Sequence, residues 1–150
     1  MRAIIIDDSP RIRSELRQTL GRLGWTVVAE GANGIEALEL AELHKPDLMT
    51  LDIIMPEMDG IECYRNLRKL SQPPRCLIIS VLAIEPRVMA AYEREILASH
   101  FLKKPVQEKE LRDRIEAIMS MPPLPLPPHA DALDGPPIPL NSQLPTIEEI

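Results

Sequence analysis

The sequence predicts a doubly wound α/β fold built on a parallel sheet. Three observations predict it. Strand and helix signals alternate five times over residues 1–120. The strand segments are short apolar runs without polar alternation, as in strands buried on both faces. The helical segments run to roughly ten residues, the length that carries a right-handed crossover to a parallel neighbour. A chain of 150 residues with 45% hydrophobic side chains has enough apolar material for one domain with a full core.

Ala3–Ile6 is the first strand. Pro10 to Leu23 follows as a helix, with Ser9 as N-cap and Pro10 at its first position. Ile12, Leu16, Leu20 and Leu23 share one face, and Gly24 ends the helix. Thr26–Ala29 is a β-branched second strand. Gly34 to His44 is the second helix, with Ile35, Leu38 and Leu43 expected inward and Pro46 as its stop. Leu48–Leu51 is the third strand, and Ile61 to Leu70 the third helix, approached through Asp59-Gly60. Cys76–Ile79 is the fourth strand. Glu85 to Arg94 is a fourth helix with Pro86 in its first turn, and Phe101–Lys103 a short fifth strand. Glu108 to Met119 is the last helix, with Leu111, Ile115 and Ile118 inward.

Residues 121–150 differ in kind. They hold nine prolines, as in Met121-Pro122-Pro123-Leu124-Pro125-Leu126-Pro127-Pro128. Proline at this density excludes helix and sheet interiors and favours extended polyproline II or disorder. The segment is expected to be a tail, a linker or a docking peptide. The chain therefore divides into a domain over 1–120 and a proline-rich segment over 121–150.

Net charge is −6. Asp131, Asp134, Glu148 and Glu149, with no Lys or Arg nearby, place −4 of it in the proline-rich segment. The remaining −2 on residues 1–120 excludes a basic nucleic-acid surface. No apolar run reaches 18 residues, and only four apolar residues separate Arg2 from Asp7, so neither membrane insertion nor a signal peptide is expected. A cytoplasmic protein is the expectation. Cys63 and Cys76 lack metal-ligand spacing and read as reduced thiols in or near the core.

Chemistry-bearing residues stand at the strand ends. Asp52 closes the run Leu48-Met49-Thr50-Leu51, Asp7 and Asp8 follow Ala3-Ile4-Ile5-Ile6, and Lys104 follows Phe101-Leu102-Lys103. In open α/β sheets, ligands bind beyond the carboxyl ends of the strands. Three acids and a lysine converging there suit a cation and phosphate chemistry. Each residue has a plainer reading as well. Asp7 or Asp8 could cap the first helix, Ser80 could be a turn residue, and Phe101 could be ordinary core. Asp59 reads as a turn or cap residue before Gly60.

Residues 1–120 resemble the receiver domain of two-component response regulators, most nearly the single-domain chemotaxis type. The resemblance rests on Ile4-Ile5-Ile6-Asp7-Asp8-Ser9, on Leu51-Asp52-Ile53-Ile54-Met55-Pro56-Glu57-Met58-Asp59-Gly60, on Ile79-Ser80 and on Lys103-Lys104-Pro105. It implies a flavodoxin-like five-stranded sheet in the order 2-1-3-4-5. It implies that Asp52 accepts a phosphoryl group from a histidine kinase or phosphotransfer protein, forming an acyl phosphate. It further implies Mg²⁺ held by Asp8 and Asp52, by the Ile54 backbone carbonyl, and by Asp7 mainly through water. Lys104, the lysine just before proline, would pair with the phosphoryl group, and Ser80 would donate its hydroxyl to it. The family also implies a cis Lys104–Pro105 bond.

Phe101 stands where the family has a switch aromatic. Phosphorylation would bias a two-state equilibrium and remodel a face formed by the helix over 85–94, the fifth strand and the last helix. An unknown output protein would read that face, with the chain a monomer or a phosphorylation-dependent dimer. Such a protein is a regulator rather than an enzyme, catalysing only its own phosphorylation and dephosphorylation. The alternative is the regulatory receiver of a larger protein, a transcription factor or chemotaxis methylesterase cut in its linker. A phosphohydrolase with an aspartyl nucleophile usually carries a second acid two residues on, where this chain has Ile54. Two departures from the family are visible. Val81 follows Ser80 where receivers have Ala or Gly, which should narrow access to the acyl phosphate. The interval from Ser80 to Lys104 is 24 residues, so the intervening helix or its exit loop is enlarged.

Overall fold

The computed structural model of the chain describes residues 1–58, 60–81 and 98–121. Asp59, the helix expected over 85–94 and the proline-rich residues from 122 onward lie outside the described residues.

Five strands, β1 (Arg2–Ile6), β2 (Thr26–Gly31), β3 (Leu48–Leu51), β4 (Arg75–Ser80) and β5 (Phe101–Lys103), form one parallel sheet in the order β2-β1-β3-β4-β5. Among the described residues the helices are α1 (Pro10–Arg22), α2 (Gly34–His44), α3 (Gly60–Leu67) and α4 (Glu108–Met119), with a 3-10 turn at Ala98–His100 before β5. The strand order is the one the receiver resemblance implies. Registers such as Ile6 with Leu51 and Ser80 with Lys103 bring the carboxyl ends of β1, β3, β4 and β5 to a common edge.

Alternation along the strands divides the core into two layers. Ile4, Ile6, Met49, Leu51, Cys76, Ile78 and Phe101 face α2 and α3 through Ala37, Ala41, Cys63, Tyr64 and Leu67. Ala3, Ile5, Leu48, Leu77, Ile79 and Leu102 face α1 and α4 through Leu16, Leu20, Leu111, Ile115 and Ile118. Each fully buried large aliphatic contributes about 1.5–3 kcal/mol. Both layers run across the sheet and pack beneath the strand ends that carry the site.

Local chemistry sets the helix ends. The Ser9 hydroxyl accepts a hydrogen bond from the Ile12 N–H at 3.3 Å, and Pro10 follows at the first helical position. The chain turns at Gly24, whose φ of 89° suits glycine. At α2 the Asn33 side chain accepts from the Glu36 N–H at 2.8 Å, while Glu36 accepts from the Ala32 N–H at 3.1 Å. The last helix begins and ends where the sequence puts it.

The face of α2 differs from the expectation. Ile35 and Leu43 are exposed, at 42% and 74%, and Leu38 is only partly buried. Gly34, Ala37 and Ala41 are buried instead. The reason is proximity. A Cβ added at Gly31 would lie 2.9 Å from Ile6 Cδ1 and 3.2 Å from Glu36 Cβ, so α2 sits too near the sheet for branched side chains beneath it. Leu38 and Leu43 line an open groove of about 840 Å³ with Asn66, Lys69 and Leu70. The third helix is also shorter than expected, ending at Leu67, because residues 68–72 turn toward Pro73 and Pro74.

Candidate functional site: an acidic pocket at the strand ends

The pocket lies where β1, β3, β4 and β5 end. Asp7 and Asp52 follow adjacent parallel strands and are buried, at 2% and 7% exposure, whereas Asp8 is exposed. Ligand oxygens of Asp7, Asp8 and Asp52 lie within 4.8 Å of one another. Hard carboxylate oxygens so grouped suit a hard divalent cation.

Backbone contacts fix the loops that carry these acids. The Asp7 N–H donates to the Gly31 carbonyl at 3.1 Å, and the Asp52 N–H to the Ile6 carbonyl at 3.1 Å, so β2 aligns Asp7 and β1 aligns Asp52. Asp7 Oδ1 accepts from the Ser9 N–H at 2.9 Å. Asp52 Oδ1 accepts from the Ile54 N–H at 3.4 Å, which makes the turn after β3 curl around the carboxylate. Gly60 is packed under that turn. An added Cβ would lie 2.5 Å from the Asp52 carbonyl oxygen, so only glycine lets α3 begin so close to the Asp52 backbone.

The cation comes from the loop after β5. Lys104 Nζ donates to Asp7 Oδ2 at 2.7 Å and to Asp52 Oδ2 at 3.0 Å. Its neighbour Lys103 is exposed. The Lys104–Pro105 peptide is cis, as the resemblance implies. Ser80 is fully buried and hydrogen-bonds Asp52. Phe101 is 5% exposed and packs in the layer facing α2 and α3. Val81 is 56% exposed at the end of β4, beside Ser80.

Burial pushes the Asp52 carboxyl above the usual carboxylate range. The hydrogen bond and charge of Lys104 oppose that rise, the Asp7 charge adds to it, and the Ser80 hydrogen bond again opposes it. For Lys104, burial alone would lower the ammonium. The hydrogen bonds and charges of Asp7 and Asp52 outweigh burial and hold it above its ordinary value.

Residues 3–116 match the response regulator receiver domain family. The chain belongs to that family. It is 33% identical over 119 residues to the chemotaxis protein CheY of Bacillus subtilis, covering 79% of this chain and 98% of that protein. It is 35% identical over 119 residues to the transcriptional regulatory protein PdtaR of Mycobacterium tuberculosis, covering 79% of this chain but 57% of that one. The receiver in the CheX–CheY–BeF₃–Mg²⁺ complex from Borrelia burgdorferi superposes with a TM-score of 0.69 at 29% identity, over 79% of this chain and 88% of that one. A receiver is a signalling phosphoacceptor module. Among the described residues of this one, no helix is long and apolar enough to cross a membrane.

Of the site residues named from the sequence, the structure brings Asp7, Asp8, Asp52, Ser80 and Lys104 together; Ile54 meets Asp52 through its N–H, and Phe101 lies in the core layer facing α2 and α3. Sequence reasoning names neither Arg13 nor Glu30, which border the pocket. Arg13 Nη1 donates to the Asp7 main-chain carbonyl at 2.6 Å, and its Nε lies 3.4 Å from Glu30 Oε1. A signal was present: α1 opens with Arg11 and Arg13 and has no acid in its first turn, the reverse of what the helix dipole favours.

Proposed function

We propose that this receiver is a phosphoryl-accepting switch whose acceptor is Asp52, working with Mg²⁺ at Asp7, Asp8 and Asp52. The observation that carries the proposal is Lys104 Nζ bonded at once to Asp7 and to Asp52, 2.7 and 3.0 Å away, beside three clustered acids. A metal bound to those acids, with the Ile54 carbonyl as a further ligand, would neutralise charge on the phosphoryl oxygens.

The chain's own groups supply the rest. An Asp52 carboxylate oxygen attacks the phosphorus of a phosphohistidine in the partner, the P–N bond breaks, and the imidazole leaves with its electron pair. An acyl phosphate forms on Asp52. Lys104 pairs with a phosphoryl oxygen as a point charge, and Ser80, already bonded to Asp52, turns its hydroxyl to another. Phe101 then responds to the displacement of Ser80, and the face that includes β5 and α4 changes for an output protein. The donor, a sensor kinase or phosphotransfer protein, approaches where Ile12 and Val106 stay partly exposed beside Lys104 and Pro105. The chain works in the cytoplasm and catalyses no reaction but its own modification and its reversal.

A second reading, a regulatory receiver within a longer protein, is favoured by one observation. The match to the mycobacterial transcriptional regulator covers only 57% of that protein.

The test is incubation with acetyl phosphate and Mg²⁺, followed by intact mass. One added phosphoryl group is expected on the wild type and none on Asp52→Asn or in excess EDTA. A folded wild type that stays unmodified would overturn the proposal.

A further inference from the structure

The peptide bond between Asp7 and Asp8 joins two of the three clustered acids, and its carbonyl is held by a side chain. Arg13 reaches back from the first turn of α1 to donate to that oxygen at 2.6 Å. Helical side chains lean toward the N-terminus, which makes this reach natural. A cation at this end of a helix opposes the helix dipole, so it needs a negative partner. Glu30, at the end of β2, provides one. Its Oε1 lies 3.4 Å from Arg13 Nε, and its Oε2 accepts from Arg17 Nε. Arg13 and Glu30 are mostly buried, with side-chain exposures of 19% and 25%, while Arg17 is half exposed. The Asp7 N–H is meanwhile bonded to Gly31, the residue after Glu30. The end of β2 thus grips Asp7 twice, once through the Gly31 backbone and once through Glu30 and Arg13.

Asp8 is the exposed member of the acidic group, so packing does little to aim its carboxylate. The Asp7–Asp8 peptide plane, from which that side chain springs, is where the guanidinium acts. We infer that Arg13, held by Glu30, is a positioning residue for the divalent-cation site: it locks the Asp7–Asp8 peptide so that the Asp8 carboxylate faces the cation. This rests on the proposed Mg²⁺ site. Two opposed effects follow from removing Arg13. Loss of a positive charge would strengthen cation binding, and loss of the lock would weaken it. Glu30, which Arg13 shares with Arg17, offsets part of the Arg13 charge and solvent screens the rest, so the lock is expected to dominate. The guanidinium is needed for its fork, which bonds Asp7 and Glu30 together; an ammonium is a single point charge.

The experiment is calorimetric titration of the full-length chain with Mg²⁺, with thermal unfolding in EDTA alongside. Arg13→Met is expected to weaken Mg²⁺ binding about tenfold, the size typical of losing an outer partner of a metal ligand. Its unfolding temperature in EDTA is expected to stay close to wild type. Arg13→Lys should fail to restore affinity. Glu30→Gln should weaken binding in the wild type but add nothing in the Arg13→Met background, since Glu30 acts through Arg13. Equal or tighter Mg²⁺ binding by Arg13→Met, full rescue by lysine, or an additive Glu30→Gln effect would each overturn the inference. Asp8→Ala separates this from the parent reading: if wild type and Asp8→Ala bind Mg²⁺ alike, the acidic site itself is wrong.

Discussion

At the residue scale, Asp52 bears the cost of the site. Burial raises its carboxyl, so the folded chain holds that proton more firmly than the unfolded chain does. Its stability contribution is therefore undiminished below the unfolded carboxylate pKa of about 3.9 and falls as pH rises through the raised folded value. The penalty therefore grows as pH rises toward neutrality. Asp52→Asn is expected to raise the unfolding temperature of the metal-free protein at pH 7 by a few degrees, the shift about 1 kcal/mol gives in a domain of this size. Scanning calorimetry in EDTA measures it, and a lowered temperature would mean that the lost Lys104 bond outweighs relieved desolvation. Val81 bears on lifetime. It stands 56% exposed next to Ser80, where a branched side chain is expected to slow the approach of water to a modified Asp52. Val81→Ala is expected to speed loss of the phosphoryl group several-fold, followed as decay of the modified mass. An unchanged decay would discard that role. Asp7 and Asp52 were legible because each closes an apolar run, a position that strand periodicity already marks, whereas Lys104 was told from Lys103 by the family resemblance, which places the lysine just before proline. Arg13 and Glu30 were not, because their roles depend on a contact between α1 and β2 that no sequence spacing displays.

At the scale of elements, α2 shows where pattern reading fails. Large aliphatic residues at helical spacing single out Ile35, Leu38 and Leu43, yet Ala37 and Ala41 carry the buried face. Hydrophobicity ranks side chains by size, while close approach to a sheet selects for smallness. The consequence is measurable. Ala41→Leu is expected to destabilise the protein by about 1–3 kcal/mol through overpacking, and Leu43→Ala to change stability by less than about 0.5 kcal/mol. Urea unfolding of the two variants checks the order, and a reversed order would restore the large-residue face. Helices with bulky inward residues, such as α4 with Leu111, Ile115 and Ile118, were readable from end to end. Caps helped as well: Ser9 with Pro10 gave the start of α1 without ambiguity, since both residues suit that position for separate reasons.

At the scale of the whole molecule, the alternation of elements predicts the fold class but not the order of strands. Strands buried on both faces, such as β3 and β4, carry no polar side to report which neighbour they meet. The order came from the family resemblance, and the ladders agree with it. Among the described residues the last fully buried core side chain is Ile118, and the carbonyl of Met121 accepts from Arg75 Nε at 3.1 Å, tying the end of the described chain to the start of β4. A protein ending at Met121 is therefore expected to unfold as cooperatively as the full chain and to accept phosphate from acetyl phosphate at an unchanged rate. Loss of either would show that residues beyond 121 complete the domain.

The winding of the sheet has one more consequence. After β1 the chain leaves toward the layer of α1, and after β3 toward the layer of α3, on opposite sides. The two departures part the backbone between the ends of these neighbouring strands and leave a crevice there. The cleft is thus a seam of the topology rather than a hollow carved by its side chains. Replacing all three acids and Lys104 with neutral residues would silence the chemistry and leave the opening in place. A chain with this strand order is born with somewhere to put a ligand, and the acids at its rim decide only which one.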